Sequence, residues 1–92
     1  MAVAFPNGNT DPYEMSDQSI FRSRPIRSGS DLGTVIALAR KSRGYTQQDF
    51  ADIAGVGRRF VSDLENGKAT VQLGKLLQVL TALGLDLELK GR

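Results

Sequence analysis

The chain reads as an all-α domain of four to five helices that ends in one short β-strand. Three observations lead there. Apolar residues recur at the helical period from Ser30 to Gly84, and glycine stands at each break. Two of those helices are short and flank the tight Gly55-Val56-Gly57 turn. After Gly84 the period changes to strict alternation in Leu85-Asp86-Leu87-Glu88-Leu89-Lys90, the pattern of a half-buried strand.

Residues 1–29 differ from the rest. They hold all three prolines, many small polar residues and no helical period, so they read as a flexible N-terminal tail. Within the tail, Phe21-Arg22-Ser23-Arg24-Pro25-Ile26-Arg27 alternates bulky and basic residues. Three readings stay open: a solvated arm, a basic arm for a minor groove, and a segment that orders on a protein partner. Residues 30–84 form the helical domain. Ser30 is the expected first N-cap, with Asp31 in the first turn. Leu32, Val35, Ile36 and Ala39 make its apolar stripe, and Arg40, Lys41 and Arg43 suit its C-terminal dipole.

Thr46 then caps a short helix, with Asp49 three residues on as a weak capping-box partner. Phe50, Ile53 and Ala54 repeat at helical spacing, and Gly55 supplies the left-handed end. Phe60, Val61 and Leu64 restart the period, and Gly67 closes it. A last helix follows from about Gln72, with Leu73, Leu76, Leu77, Leu80 and Leu83 expected as core and Gly74 in its first turn. Residues 85–92 are the terminal strand. A lone strand in a helical domain exposes unpaired edges. Pairing with the same strand of a second copy solves this, which assigns Leu85, Leu87 and Leu89 to a homodimer ribbon. A frayed terminus is the plainer alternative.

The two short helices form a helix-turn-helix unit, whose second helix lies in the DNA major groove. That helix opens with Arg58-Arg59, and arginine forks onto guanine O6 and N7. Ser62 and Asp63 follow one turn later on the same face, and Asp63 can accept from cytosine N4. Val61 and Leu64 face inward, which leaves Phe60 at the boundary as an apolar base contact. Gly57 lets the backbone approach the duplex. Lys68 is a phosphate contact just past the helix. Gln47, at the positive end of the first motif helix, can hold a phosphate through its amide.

The blocks Thr46-Gln47, Ala51, Gly55-Val56, Val61-Ser62 and Leu64-Glu65-Asn66-Gly67 resemble the Xre/Cro-type family of DNA-binding domains. The resemblance runs from about Asp31 to Leu85, and Leu83 to Leu89 resembles its HipB-like antitoxin branch. It implies a lambda-repressor-like bundle whose strand pairs across a dimer as a small lid. It also implies a phosphate-contacting Gln47 and a structural ion pair between Arg40 and Glu65. For function it implies a repressor of its own operon, bound to an inverted repeat in double-stranded DNA, that also neutralises a HipA-like kinase toxin. The chain departs from the family at Phe60, where a small polar residue is usual, and at Gly57, where Ser is usual.

Composition sets the outer bounds. Net charge is only +2, so DNA binding must come from where the basic residues sit. The chain has no cysteine and no histidine, which removes disulfides, thiolate metal sites and the commonest acid–base group. A cytoplasmic location fits. No cofactor, metal or catalytic residue is assigned, and Asp49 and Asp52 read as solvated acids. No stretch spans a bilayer, the first residues lack a signal-peptide pattern, and Ala2 excludes myristoylation. A stand-alone regulator, or an interaction module without DNA readout, remains the alternative to the antitoxin reading.

Overall fold

The computed structural model describes residues 2–4 and 24–91. Helix α1 spans Gly29–Ser42. Its N-cap is Ser28, whose hydroxyl accepts from the Asp31 amide at 3.1 Å, and the Asp31 carboxylate accepts from the Arg27 amide at 2.9 Å. The cap therefore lies two residues before the expected Ser30, because Gly29 is the first helical residue and not a break. Helix α2 spans Gln47–Ala54 and starts with a complete capping box between Thr46 and Asp49. Gly55 ends it at φ 75°, a conformation that only glycine adopts freely. Helix α3 spans Arg58–Glu65, and helix α4 spans Leu73–Ala82.

Two strands at the ends of the chain meet a third. Strands β1 (Ala2–Ala4), β2 (Arg24–Pro25) and β3 (Asp86–Glu88) form an antiparallel sheet in the order β2-β1-β3. Ala2 pairs with Glu88, Val3 with Leu87, and Ala4 with Asp86. The terminal strand thus has a partner in its own chain, which no residue pattern announces. The reason is that Ala2-Val3-Ala4 is too short to show a period. The fold also reaches further toward the N-terminus than the boundary at residue 30: Arg24–Pro25 is strand and Ile26 is buried. The Phe21-Arg22-Ser23 part of the suggested arm lies outside the described residues.

The core gathers Val35, Ile36 and Ala39 of α1, Phe50 and Ala51 of α2, Val61 and Leu64 of α3, and Leu76, Val79 and Leu80 of α4, closed by Leu83 and Leu85. The buried stripe of α4 is therefore Leu76, Val79, Leu80 and Leu83, at i, i+3, i+4 and i+7. Leu73 and Leu77, which the leucine spacing places in it, are exposed, as is Ile53 on α2. Ile53 and Leu77 instead line an open groove of about 480 Å³ between α2 and α4.

Helices α1 and α3 touch backbone to backbone. A Cβ on Gly33 would overlap the Leu64 and Glu65 carbonyl oxygens, and one on Gly29 would lie 2.5 Å from the Gly67 oxygen. Only backbone can give way there. Gly33→Ala should cost about 1–3 kcal/mol by urea unfolding, the usual range for overpacking. A variant as stable as the parent chain would show that the two helices are free to separate.

Candidate nucleic-acid interface

Helix α3 turns one face inward and one outward. Val61 and Leu64 are buried, while Arg58 and Arg59 are exposed at its N-terminal end. Ser62 and Asp63 are half-buried on the outer side. Asp63 faces Lys68, Oδ2 to Nζ, at 3.5 Å, so its charge is partly offset before any phosphate arrives. Lys68 itself is exposed. Ser62 accepts a long contact from Asn66 Nδ2 at 3.5 Å.

Gly57 is the N-cap of α3 and offers no side-chain hydrogen bond. A Cβ there would meet open space, so the fold itself does not demand glycine. The first amides of α3 are left to another acceptor. Phe60 lies at the boundary, half-buried and packed against the core, and Lys75 Nζ stands 5.8 Å from its ring centroid. Lys75 drew no attention in the sequence, because it stands alone in an apolar helix.

The opposite flank of α3 is held by charge. Arg40 Nε donates to Glu65 Oε2 at 2.6 Å and Nη2 donates to Oε1 at 2.9 Å. Its Nη1 donates to the Tyr45 carbonyl at 2.7 Å, so each guanidinium nitrogen has an acceptor. Both side chains are less than a tenth exposed. Gln47 Nε2 also donates to Glu65 Oε1, at 3.1 Å. The carboxylate therefore orients the amide expected to meet phosphate, a link that sequence spacing could not reveal. Since an amide nitrogen carries two hydrogens, Gln47 keeps one donor for a ligand. Arg43 donates to the Ala39 and Leu83 carbonyls, which makes it a tie between α1 and the end of α4.

The three leucines assigned to a dimer ribbon part company. Leu85 is buried in the core of its own chain and Leu87 packs partly against it. Leu89 is 81% exposed.

A helix with an arginine-tipped outer face, locked from behind and preceded by a capped helix and a glycine turn, has the geometry of a major-groove reader. A family model described as "Helix-turn-helix" matches residues 36–90. The chain belongs to this family. It is 42% identical over 67 residues to "Uncharacterized HTH-type transcriptional regulator y4mF" of Sinorhizobium fredii, covering 73% of this chain and 88% of that protein. Among solved structures it resembles "HipB-O4 20mer complex", with TM-score 0.67, 26% identity and 74% of this chain against 96% of that one. The same figures hold for the matching chain of "Structure of HipA-HipB-O2-O3 complex".

Burial opposes the charge of Glu65. Hydrogen bonds from Arg40 and Gln47 and the charges of Arg40 and Lys41 outweigh it, so the carboxyl stays below its ordinary range. The hydrogen bond to Glu65 holds Arg40 above its ordinary value. Unfolded Glu titrates at about 4.3, so the pair's contribution is full above that pH and lost as pH falls through the lower folded value. Glu65→Gln should destabilise the fold by about 3–5 kcal/mol at pH 7 in urea, because it leaves a buried guanidinium without its counter-charge. The variant's stability should also vary less with pH in the acid range. A loss under about 1 kcal/mol would mean that water replaces the carboxylate, as at surface pairs.

Proposed function

We propose that this helix-turn-helix transcriptional regulator is a repressor that binds an inverted repeat in double-stranded DNA as a homodimer. The observation that supports this most strongly is the exposure of Arg58 and Arg59 at the leading end of α3, with Val61 and Leu64 anchoring the other side. Arg59 reads guanine and Arg58 holds a phosphate; Gln47 and Lys68 hold further phosphates. Ser62 and Asp63 adapt to the flanking bases. Gly57 leaves the start of α3 clear for the sugar-phosphate backbone.

A single module of this size makes few phosphate contacts, and non-specific binding is then roughly micromolar or weaker. Two copies set their reading helices about 34 Å apart, one helical turn of DNA. β3 has one edge on β1 and, among the described residues, no partner on the other. Pairing of two β3 edges joins the sheets of both copies, with the exposed Leu89 covered at the seam and Leu87 beside it. Leu85 stays a core residue in this arrangement.

Within that reading we assign the chain to the antitoxins that also bind a HipA-type kinase toxin in the cytoplasm. The likeness to the HipB chains, one of them in a complex with HipA, supports it. The y4mF relative fits a stand-alone regulator equally well, and the neighbouring gene discriminates. A kinase-like reading frame next to this one favours the antitoxin.

Arg59→Ala should lower discrimination between the operator and a scrambled duplex by about 1–3 kcal/mol in fluorescence anisotropy. Equal weakening on both duplexes would make Arg59 a phosphate contact instead. Sedimentation equilibrium of the full chain should give twice the chain mass, and Leu89→Lys should shift it toward one. A parent chain of single mass would remove the ribbon.

A further inference from the structure

We propose that Lys75 of α4, held over the ring of Phe60, is a DNA phosphate contact, and that Phe60 is its platform and not a base reader. The inference rests on the DNA-binding reading above and extends the interface to a second helix. Three observations lead to it. Phe60 is half-buried against the core, so part of its ring is committed to packing and the rest offers a face to Lys75. Lys75 Nζ lies 5.8 Å from the ring centroid, within the range where an ammonium is drawn to an aromatic face. Lys75 is exposed, so its charge remains available to an anion.

The position on α3 matters as much as the contact. At roughly 100° per residue, Phe60 and Glu65 fall on opposite flanks of the outward face centred on Arg59 and Asp63. Glu65 holds Gln47 on its flank through the 3.1 Å hydrogen bond. Phe60 holds Lys75 on the other. A helix in the major groove has a phosphate strand on each side. Gln47 and Lys75 are thus placed to meet one strand each, with Arg58 and Arg59 between them.

A stiff ring also limits what the ammonium loses on binding. A free lysine side chain surrenders much of its rotamer freedom when it is fixed. Stacking on Phe60 removes part of that freedom beforehand. The ring costs the interface little, since it already lies against the core.

The test is a salt titration of binding to a mixed-sequence 30-base-pair duplex, read by fluorescence anisotropy. Such a duplex reports phosphate contacts without base reading. Lys75→Gln should reduce the slope of log affinity against log salt by about 0.9 per protomer, the value for one phosphate contact. Phe60→Leu, which keeps apolar bulk, should weaken binding in the parent chain and have no further effect in the Lys75→Gln background. Phe60→Tyr, which keeps a ring, should retain parent affinity. Thermal melts of each variant establish that the fold persists. An unchanged slope for Lys75→Gln overturns the proposal, and so does a Phe60→Leu effect that adds fully to it. Salt-independent binding by the parent chain would instead overturn the DNA-binding reading, and this proposal with it.

Discussion

Arg40 and Glu65 join the first helix to the last turn of α3 through two parallel hydrogen bonds in a nearly dry site. Much of the architecture follows from that tie. The third arm of the guanidinium reaches the Tyr45 carbonyl and so fixes the turn that leads into α2. The carboxylate meanwhile takes the Gln47 amide. One ion pair therefore sets the relation among α1, α2 and α3. A buried pair of this kind is a weak source of net stability. Its contribution is geometric: it holds α3 at one rotation. The glycine contact of α1 with the end of α3 adds a second constraint of the same sense, because the two backbones lie so close that no side chain fits between them at Gly33 or Gly29.

Holding α3 from behind leaves its front free for charge. Net charge is only +2, so the interface is a matter of placement. Arg58 and Arg59 stand exposed where the helix begins, and the only acid of the outer face, Asp63, sits beside Lys68. The local field at the leading end is thus more positive than the whole chain. The missing side-chain cap at Gly57 has the same effect, since the free amides there carry the positive end of the helix dipole. Flexible cations on rigid helices are a sound arrangement for binding a polyanion, because the charges can adapt while their anchor points do not.

How much of this could be read from the residues varied with the range of the signal. The capping box at Thr46, the left-handed Gly55 and the boundaries of α2 and α3 are local, and the spacing displayed them. Arg40 and Glu65 are 25 positions apart and became a pair only by resemblance. The cap of α1 lies at Ser28 and not at Ser30, because Gly29 is helical and its lack of a side chain serves contact with Gly67. Leu73, Leu77 and Ile53 have core chemistry and helical spacing, yet all three are exposed, Leu77 and Ile53 along the open groove between α2 and α4. Periodicity tells which side of a helix is apolar, not how far its neighbours extend. The partner of β3 was illegible because Ala2-Val3-Ala4 is three residues long and lies more than eighty positions away. Lys75 had no pattern at all; only its place over Phe60 distinguishes it.

In the proposed reading α3, fixed by Arg40–Glu65, meets DNA with its Arg58–Arg59 end. Nuclear magnetic resonance of the isotope-labelled chain, titrated with DNA from upstream of its own gene, tests this. The largest amide shifts should cluster at Gln47 and from Gly57 to Asp63, with the core residues Val35 and Leu80 little moved. Shifts confined to the Ile53–Leu77 groove, with Arg58 and Arg59 unaffected, would contradict it.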